Sequence, residues 1–267
     1  MADYLEPLVQ DILRVSKFSR LGKKAIRAAL EQFFVTQPRS KQQQTQLLKQ
    51  TKKYLHDTYS VYNIRAVNTR ESLLRKKDYE GLLHSHSSTR ERQLYYKEIY
   101  DTIFKKSGTP KTILDIGCGM NPFSIIHTPL QKITYYCFDL AEKDIRLLNT
   151  FFASTSTKKN IRSKATQTIH FDQTFLNNIK TIKTDLCFLF KMTDMFDYGT
   201  KNHKQTEKIL TAINSKTIVV SFPTRTISNK AMNNPRRQWF ERLLKRLHYT
   251  YDYFTIPNEC FYIITKR

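Results

Sequence analysis

The sequence predicts an α/β fold. An open, doubly wound, mostly parallel sheet occupies the C-terminal side, and an all-helical region precedes it. Three observations carry this. Residues 1–106 show only helical periodicity. After the breaker Ser107-Gly108-Thr109-Pro110, short apolar runs alternate with helical stretches. The last two runs are separated only by Pro257-Asn258, which reads as a terminal antiparallel hairpin.

The elements follow in order. Leu5, Leu8, Val9, Ile12 and Leu13 form the stripe of a first helix, with Pro7 near its start, where a missing N–H is tolerated. Ile26, Ala29, Leu30, Phe33 and Phe34 form a second stripe, which ends before Pro38. Ser40 is placed to cap a third helix with Leu47, Leu48, Leu55 and Tyr59 on its buried face. Its other face carries Lys41, Lys49, Lys52 and Lys53, open to solvation or RNA contact. In the segment 86–106, Ser88 followed by Glu91 has capping-box spacing, and Leu94, Ile99, Ile103 and Phe104 supply the stripe. Arg90 and Arg92 then fall in the first helical turn, where a cation opposes the macrodipole; an anionic ligand nearby would explain them.

Thr112–Ile116, Ile133–Phe138, Thr168–Phe171, Leu186–Phe190 and Ile218–Ser221 read as parallel strands buried on both faces. Glu142–Phe152 and His203–Ile213 read as intervening helices. Tyr251–Ile256 and Glu259–Thr265 form the hairpin. A parallel sheet closed this way is the arrangement of Rossmann-like class I methyltransferases. In the stretch 235–246, Trp239, Phe240, Leu243, Leu244 and Leu247 make a buried helical face beside several arginines and lysines.

Composition narrows the function. The 267 residues carry a formal net charge of +22, with 40% hydrophobic and 12% aromatic residues, enough for a core. The charge is spread: residues 1–108 hold 21 basic and 11 acidic side chains, and residues 109–267 hold 24 and 12. A basic body of this kind favours a polyanionic partner, nucleic acid first, over an anionic membrane. Cys118, Cys137, Cys187 and Cys260 form no CxxC pair, which argues against a zinc ribbon. His84 and His86 lack a third ligand at useful spacing, so local polar contacts are the better reading. No secretory or membrane-spanning segment is evident, and a cytoplasmic, reduced protein is expected.

The sharpest motif runs from Ile113 to Pro122, where an apolar strand enters Gly117-Cys118-Gly119. Glycine lets the backbone turn tightly and approach a ligand. A dinucleotide fingerprint would place a third Gly where Pro122 stands, which disfavours NAD or FAD. S-adenosylmethionine (SAM), with no phosphate to cradle, suits the turn. Asp115, Asp139 and Asp172 fall at the ends of the first three strands. An acid ending the second strand can take both ribose hydroxyls, and Asp172 could face the adenine amino group.

Four separated strings then carry a resemblance: His86-Ser87-Ser88-Thr89-Arg90-Glu91-Arg92, LDIGCGMNP at 114–122, Leu189-Phe190-Lys191, and Ser221-Phe222-Pro223-Thr224-Arg225. In this order the sequence resembles the aminoglycoside-resistance 16S rRNA (guanine(1405)-N(7))-methyltransferases of the Arm/Rmt type. The likeness runs from about residue 84 to the C-terminus. It departs at Gly117, where the family has Ala, at Met120, where it has Leu, and at Phe171, where it has Gln before the acid. A divergent member is implied.

The resemblance implies a helical, basic docking domain over 1–84 and a SAM-dependent methyltransferase domain over 85–267. It implies methylation of guanine N7 in 16S rRNA on the assembled 30S subunit, by a monomer. Arg92 would hold the methionine carboxylate of SAM. Asp115, Gly117 and Gly119 would line the cofactor, with Asp139 on the ribose and Asp172 near adenine. Lys191, Arg225 and Glu259 match positions implicated in target recognition and activity. The residue chemistry agrees on one point: guanine presents N7 and O6 as acceptors, which Lys191 and Arg225 at strand ends could hold. An extruded base needs a platform, and Met192, Phe222 and Trp239 are candidates alongside ordinary core roles. A methyltransferase for another rRNA base, and a ribosome-associated SAM-binding protein without this activity, are the alternatives.

Overall fold

The computed structural model describes residues 2–63, 69–159, 161–168, 170–199, 202–226 and 230–266. Three helices open the chain: α1 (Ala2–Leu13), α2 (Lys23–Phe33) and α3 (Lys41–Thr58). Their stripes meet as expected, with Leu5, Leu8, Val9, Ile12, Ile26, Leu30 and Leu55 buried in one cluster. Pro7 lies in the second turn of α1, further inside than expected. Ser40 caps α3 by accepting from the Gln43 N–H.

Four short helices follow: α4 (Arg70–Arg75), α5 (Tyr79–His84), α6 (Ser87–Arg92) and α7 (Tyr96–Ser107). The single capped helix expected over 86–106 is thus corrected. His86 occupies the cap position of α6, Ser88 is buried within it, and a 3-10 turn at Gln93–Tyr95 separates it from α7. That turn swings Leu94 out to 88% exposure, while Ile99 and Ile103 stay buried.

The sheet follows, with β1 (Thr112–Ile116), β2 (Thr134–Asp139), β3 (Arg162–Gln167), β4 (Thr184–Phe190), β5 (Ser215–Pro223), β6 (Thr250–Ile256) and β7 (Glu259–Thr265). Its order is β3-β2-β1-β4-β5-β7-β6, with β7 antiparallel to β5 and β6. Helices α8 (Glu142–Lys159), α9 (Gln173–Thr181), α10 (Thr193–Phe196), α11 (Lys204–Ala212) and α12 (Gln238–Arg246) complete the described elements.

Two apolar clusters sandwich the sheet. Ile113, Leu186 and Phe188 pack on one side with Leu82, Tyr96, Ile103 and Phe151. Leu114, Cys187 and Leu189 pack on the other with Ile179, Leu210, Phe240 and Leu244. Adjacent residues of one strand therefore serve opposite faces, which is why these strands read as unbroken apolar runs. Leu82 and Leu83 lie before the boundary expected at 84, yet pack with the sheet.

The third strand is a correction. It runs Arg162–Gln167 rather than Thr168–Phe171, of which Ile169 lies outside the described residues. As the outer strand it exposes Arg162 and Lys164, a pattern that protects an edge and leaves no apolar run.

Candidate functional site

The strand order reverses between β1 and β4, and the carboxyl ends there frame a cavity of about 320 Å³. The turn after β1 is tight. Gly117 (φ +70°) and Gly119 (φ +49°) are both left-handed, and a Cβ on Gly117 would lie 2.0 Å from the Met192 sulfur. The N–H groups of Gly117 and Cys118 both donate to the Phe138 carbonyl, at 2.8 and 3.1 Å, tying the turn to β2.

Asp139 ends β2. Its carboxylate accepts from the N–H groups of Gly119 at 2.8 Å and Ala141 at 3.0 Å. Burial nevertheless raises its pKa. Asp115 lies deeper, 1% exposed, and accepts from Asn121 Nδ2 at 2.9 Å and the Tyr135 hydroxyl at 2.8 Å. Burial outweighs those bonds and pushes it up to about 6.

A buried ion cluster forms the opposite wall. The end of α6 turns Arg92 inward, where it is 2% exposed. Its Nε donates to both Glu259 oxygens, at 2.9 and 3.1 Å, and its Nη1 to Asn121 at 3.2 Å. Its guanidinium lies 4.7 Å from the centre of the Phe190 ring. Lys191, just past β4, has φ +58°, and its N–H donates to the Ser221 carbonyl at 3.1 Å. Its ammonium meets Glu91 at 2.6 Å and Glu259 at 3.5 Å. The Ser221 hydroxyl also donates to Glu259. Burial alone would raise the Glu259 pKa, but the Arg92 and Lys191 charges hold it below the ordinary value.

Arg92, Asp115, Gly117, Gly119, Asp139 and Lys191 all line the cavity. Three expected residues do not. Glu259 is wholly buried and stands behind Arg92 and Lys191. Asp172 ends no strand; it is exposed and caps α9, accepting from the Phe175 N–H at 2.9 Å. Around it the cavity is lined instead by Thr168, His170, Phe171 and Gln205. Arg225 is exposed, two residues beyond β5, where it bridges to Ala231. Of the platform candidates, Met192 lines the cavity, while Phe222 is core and Trp239 stacks on His203 with centroids 3.6 Å apart.

Other participants were not expected at the site. Asn121 links Arg92, Tyr96 and Asp115 in one network. His86 lies against Gly119 and stacks on Tyr62. Burial and the Arg70 and Arg92 charges push His86 down to about 3, so it is neutral. Tyr54, Thr58 and Tyr59 of the α3 region also line the cavity. No cluster of three metal-ligating side chains occurs among the described residues.

This donor set fits SAM. A glycine turn that excludes side chains, an acid for ribose hydroxyls, and a buried guanidinium whose Nη2 serves neither Glu259 nor Asn121 match its parts.

Comparison with known proteins follows the same line. The family model described as "Ribosomal RNA methyltransferase (FmrO)" matches residues 14–263. The sequence is 27% identical to a 16S rRNA (guanine(1405)-N(7))-methyltransferase of Proteus mirabilis, over 85% of this chain and 84% of that protein. An rRNA methylase from Escherichia coli superposes with a TM-score of 0.75 at 22% identity, covering 98% of this chain and 100% of that one. The 16S rRNA methyltransferase RmtF, solved with S-adenosyl-L-homocysteine, gives 0.74 at 20% identity, covering all of both chains.

Proposed function

Because this chain belongs to the FmrO family of ribosomal RNA methyltransferases and uses SAM, we propose that it methylates N7 of a guanine in the decoding site of 16S rRNA, on the assembled 30S subunit. The product is a modification of the kind that confers aminoglycoside resistance. One observation carries the reading: a cation suited to the cofactor carboxylate, Arg92, and a cation suited to the target, Lys191, meet on one buried carboxylate at the cavity wall.

SAM supplies a methyl group made electrophilic by its sulfonium. The chain's own task is then to hold and orient. Arg92 holds the methionine carboxylate, Asp115 balances the ammonium, and Asp139 takes the ribose hydroxyls. Gly117 and Gly119 keep the approach clear. Guanine N7 has a lone pair and no proton, so no general base is required; alignment and exclusion of water provide the acceleration. Lys191 donates to guanine O6 once it exchanges Glu91 for the base. Glu259 positions both cations rather than touching either ligand.

Residues 1–84 act as the docking domain, with the exposed Lys41, Lys49 and Lys53 on phosphates. Arg225 contacts RNA from the exposed loop beyond β5. The enzyme works as a cytoplasmic monomer. Transfer of tritiated methyl from SAM to purified 30S subunits, followed by mass spectrometry of the 16S rRNA, tests this. One N7-methylguanosine in the decoding site is expected. Label on another base, or label only on free rRNA, refutes the assignment.

A further inference from the structure

We propose that Tyr59, supplied from the N-terminal helical unit, is a ligand of the cofactor ribose and works beside Asp139. The proposal rests on the reading of the cavity as the SAM site. Tyr59 follows the last residue of α3 and is 8% exposed. Tyr59 lines the same cavity as Gly117, Gly119 and Asp139. Its hydroxyl is buried and has no hydrogen-bond partner among the described residues. Native proteins seldom leave such a group unpaired, and a ligand is one thing that completes it.

The chemistry of the ribose explains what is missing. Each of its hydroxyls donates one proton and accepts as well. Asp139, ionised, only accepts, and each of its oxygens keeps a lone pair beyond its bond to Gly119 or Ala141. A donor is needed for the ribose oxygens, and the phenol provides one. Burial, followed by the charges of Asp144 and Asp139, strongly opposes its ionisation, so the proton stays on the oxygen.

Tyr59 and Asp139 are also held in a common frame. Asn63 Nδ2 donates to the Tyr59 carbonyl at 3.2 Å, and Arg70 donates to Asn63 Oδ1 at 2.8 Å. Arg70 and Arg20 then clasp the two oxygens of Asp144, at 2.9 and 2.6 Å, five residues after Asp139. All three charged side chains are buried.

The experiment is calorimetric titration of the full chain with S-adenosylhomocysteine and with its 2′,3′-dideoxy analogue. For Tyr59→Phe, affinity for S-adenosylhomocysteine falls about three- to tenfold, the range of one hydrogen bond. The dideoxy analogue binds both proteins equally. Unliganded Tyr59→Phe melts no lower than wild type, because an unpaired hydroxyl has been removed. Unchanged affinity for S-adenosylhomocysteine overturns the proposal, as does an equal loss for the dideoxy analogue. Failure of the wild-type protein to bind S-adenosylhomocysteine overturns instead the reading of the cavity, which is a separate outcome.

Discussion

Replacing Glu259 by Ala removes the one carboxylate that Arg92 and Lys191 share. Arg92 is 2% exposed and makes both of its carboxylate bonds to this residue, so the substitution leaves a buried guanidinium beside Asn121, Tyr96 and the Phe190 ring, with no carboxylate bond. Breaking a buried pair in this way costs about 3–5 kcal/mol. Lys191 loses less, because it keeps Glu91 at 2.6 Å. At about 2–4 °C per kcal/mol for a large domain, the melting temperature should fall by roughly 6 to 20 °C. S-adenosylhomocysteine should then stabilise the variant more than the wild type, since its carboxylate returns an anion to Arg92. The wild-type pair also has a pH signature. Its folded pKa lies below the ordinary value of 4.5, so its stabilisation is complete above that pH and fades as pH falls further. Thermal melts with and without S-adenosylhomocysteine provide the readout. A Glu259→Ala protein melting within about 2 °C of wild type, well inside the predicted cost, would refute the shared-carboxylate argument.

Three further outcomes are expected. Lys191→Ala abolishes methyl transfer to 30S subunits but leaves S-adenosylhomocysteine affinity within about threefold, as calorimetry and a tritium assay will show together. Asp139→Ala loses cofactor affinity by at least about tenfold, because the ribose acceptor and the Gly119 and Ala141 anchors go together; wild-type titration curves would contradict that. His86 has a folded pKa of about 3 against 6.5 unfolded, so it contributes stability above pH 6.5 that is lost as pH falls, by up to about 1.4 kcal/mol per pH unit. Asp115, raised to about 6, contributes with the opposite sign between about pH 4 and 6. The His86→Gln variant isolates the histidine: its pH–melting curve should be flatter than wild type on the acid side, and parallel curves would exclude the effect.

What the sequence made legible follows burial. β1 was readable to the residue because both of its faces are covered, and the Gly117-Cys118-Gly119 turn because no side chain fits there. β3 was not, since an edge strand with Arg162 and Lys164 outward has no apolar signature. That miss carried Asp172 with it: a carboxylate before an apolar stripe reads equally as a strand end or a helix cap, and it is the cap of α9. Ser88 and Glu91 had capping-box spacing, yet Glu91 pairs with Lys191, a partner 100 residues away that no local pattern encodes. Arg90 and Arg92, expected in a first helical turn, instead lie in the last turn of α6 because the helix stops at Arg92; a cation suits the macrodipole there, and the anion that Arg92 meets is Glu259, 167 residues away. Arg225 lies only two residues past β5, but that distance takes it out of the cavity.

The clasp of Arg20 and Arg70 on Asp144 has a consequence for taking the protein apart. All three side chains lie in the interior, and two of them precede residue 84. Cutting there would strand an aspartate without these counterions in the first turn of α8, five residues after Asp139. An isolated catalytic half made at that junction would be damaged at its own floor. Chimaeras that exchange the leading helices between relatives should therefore carry position 144 along with positions 20 and 70.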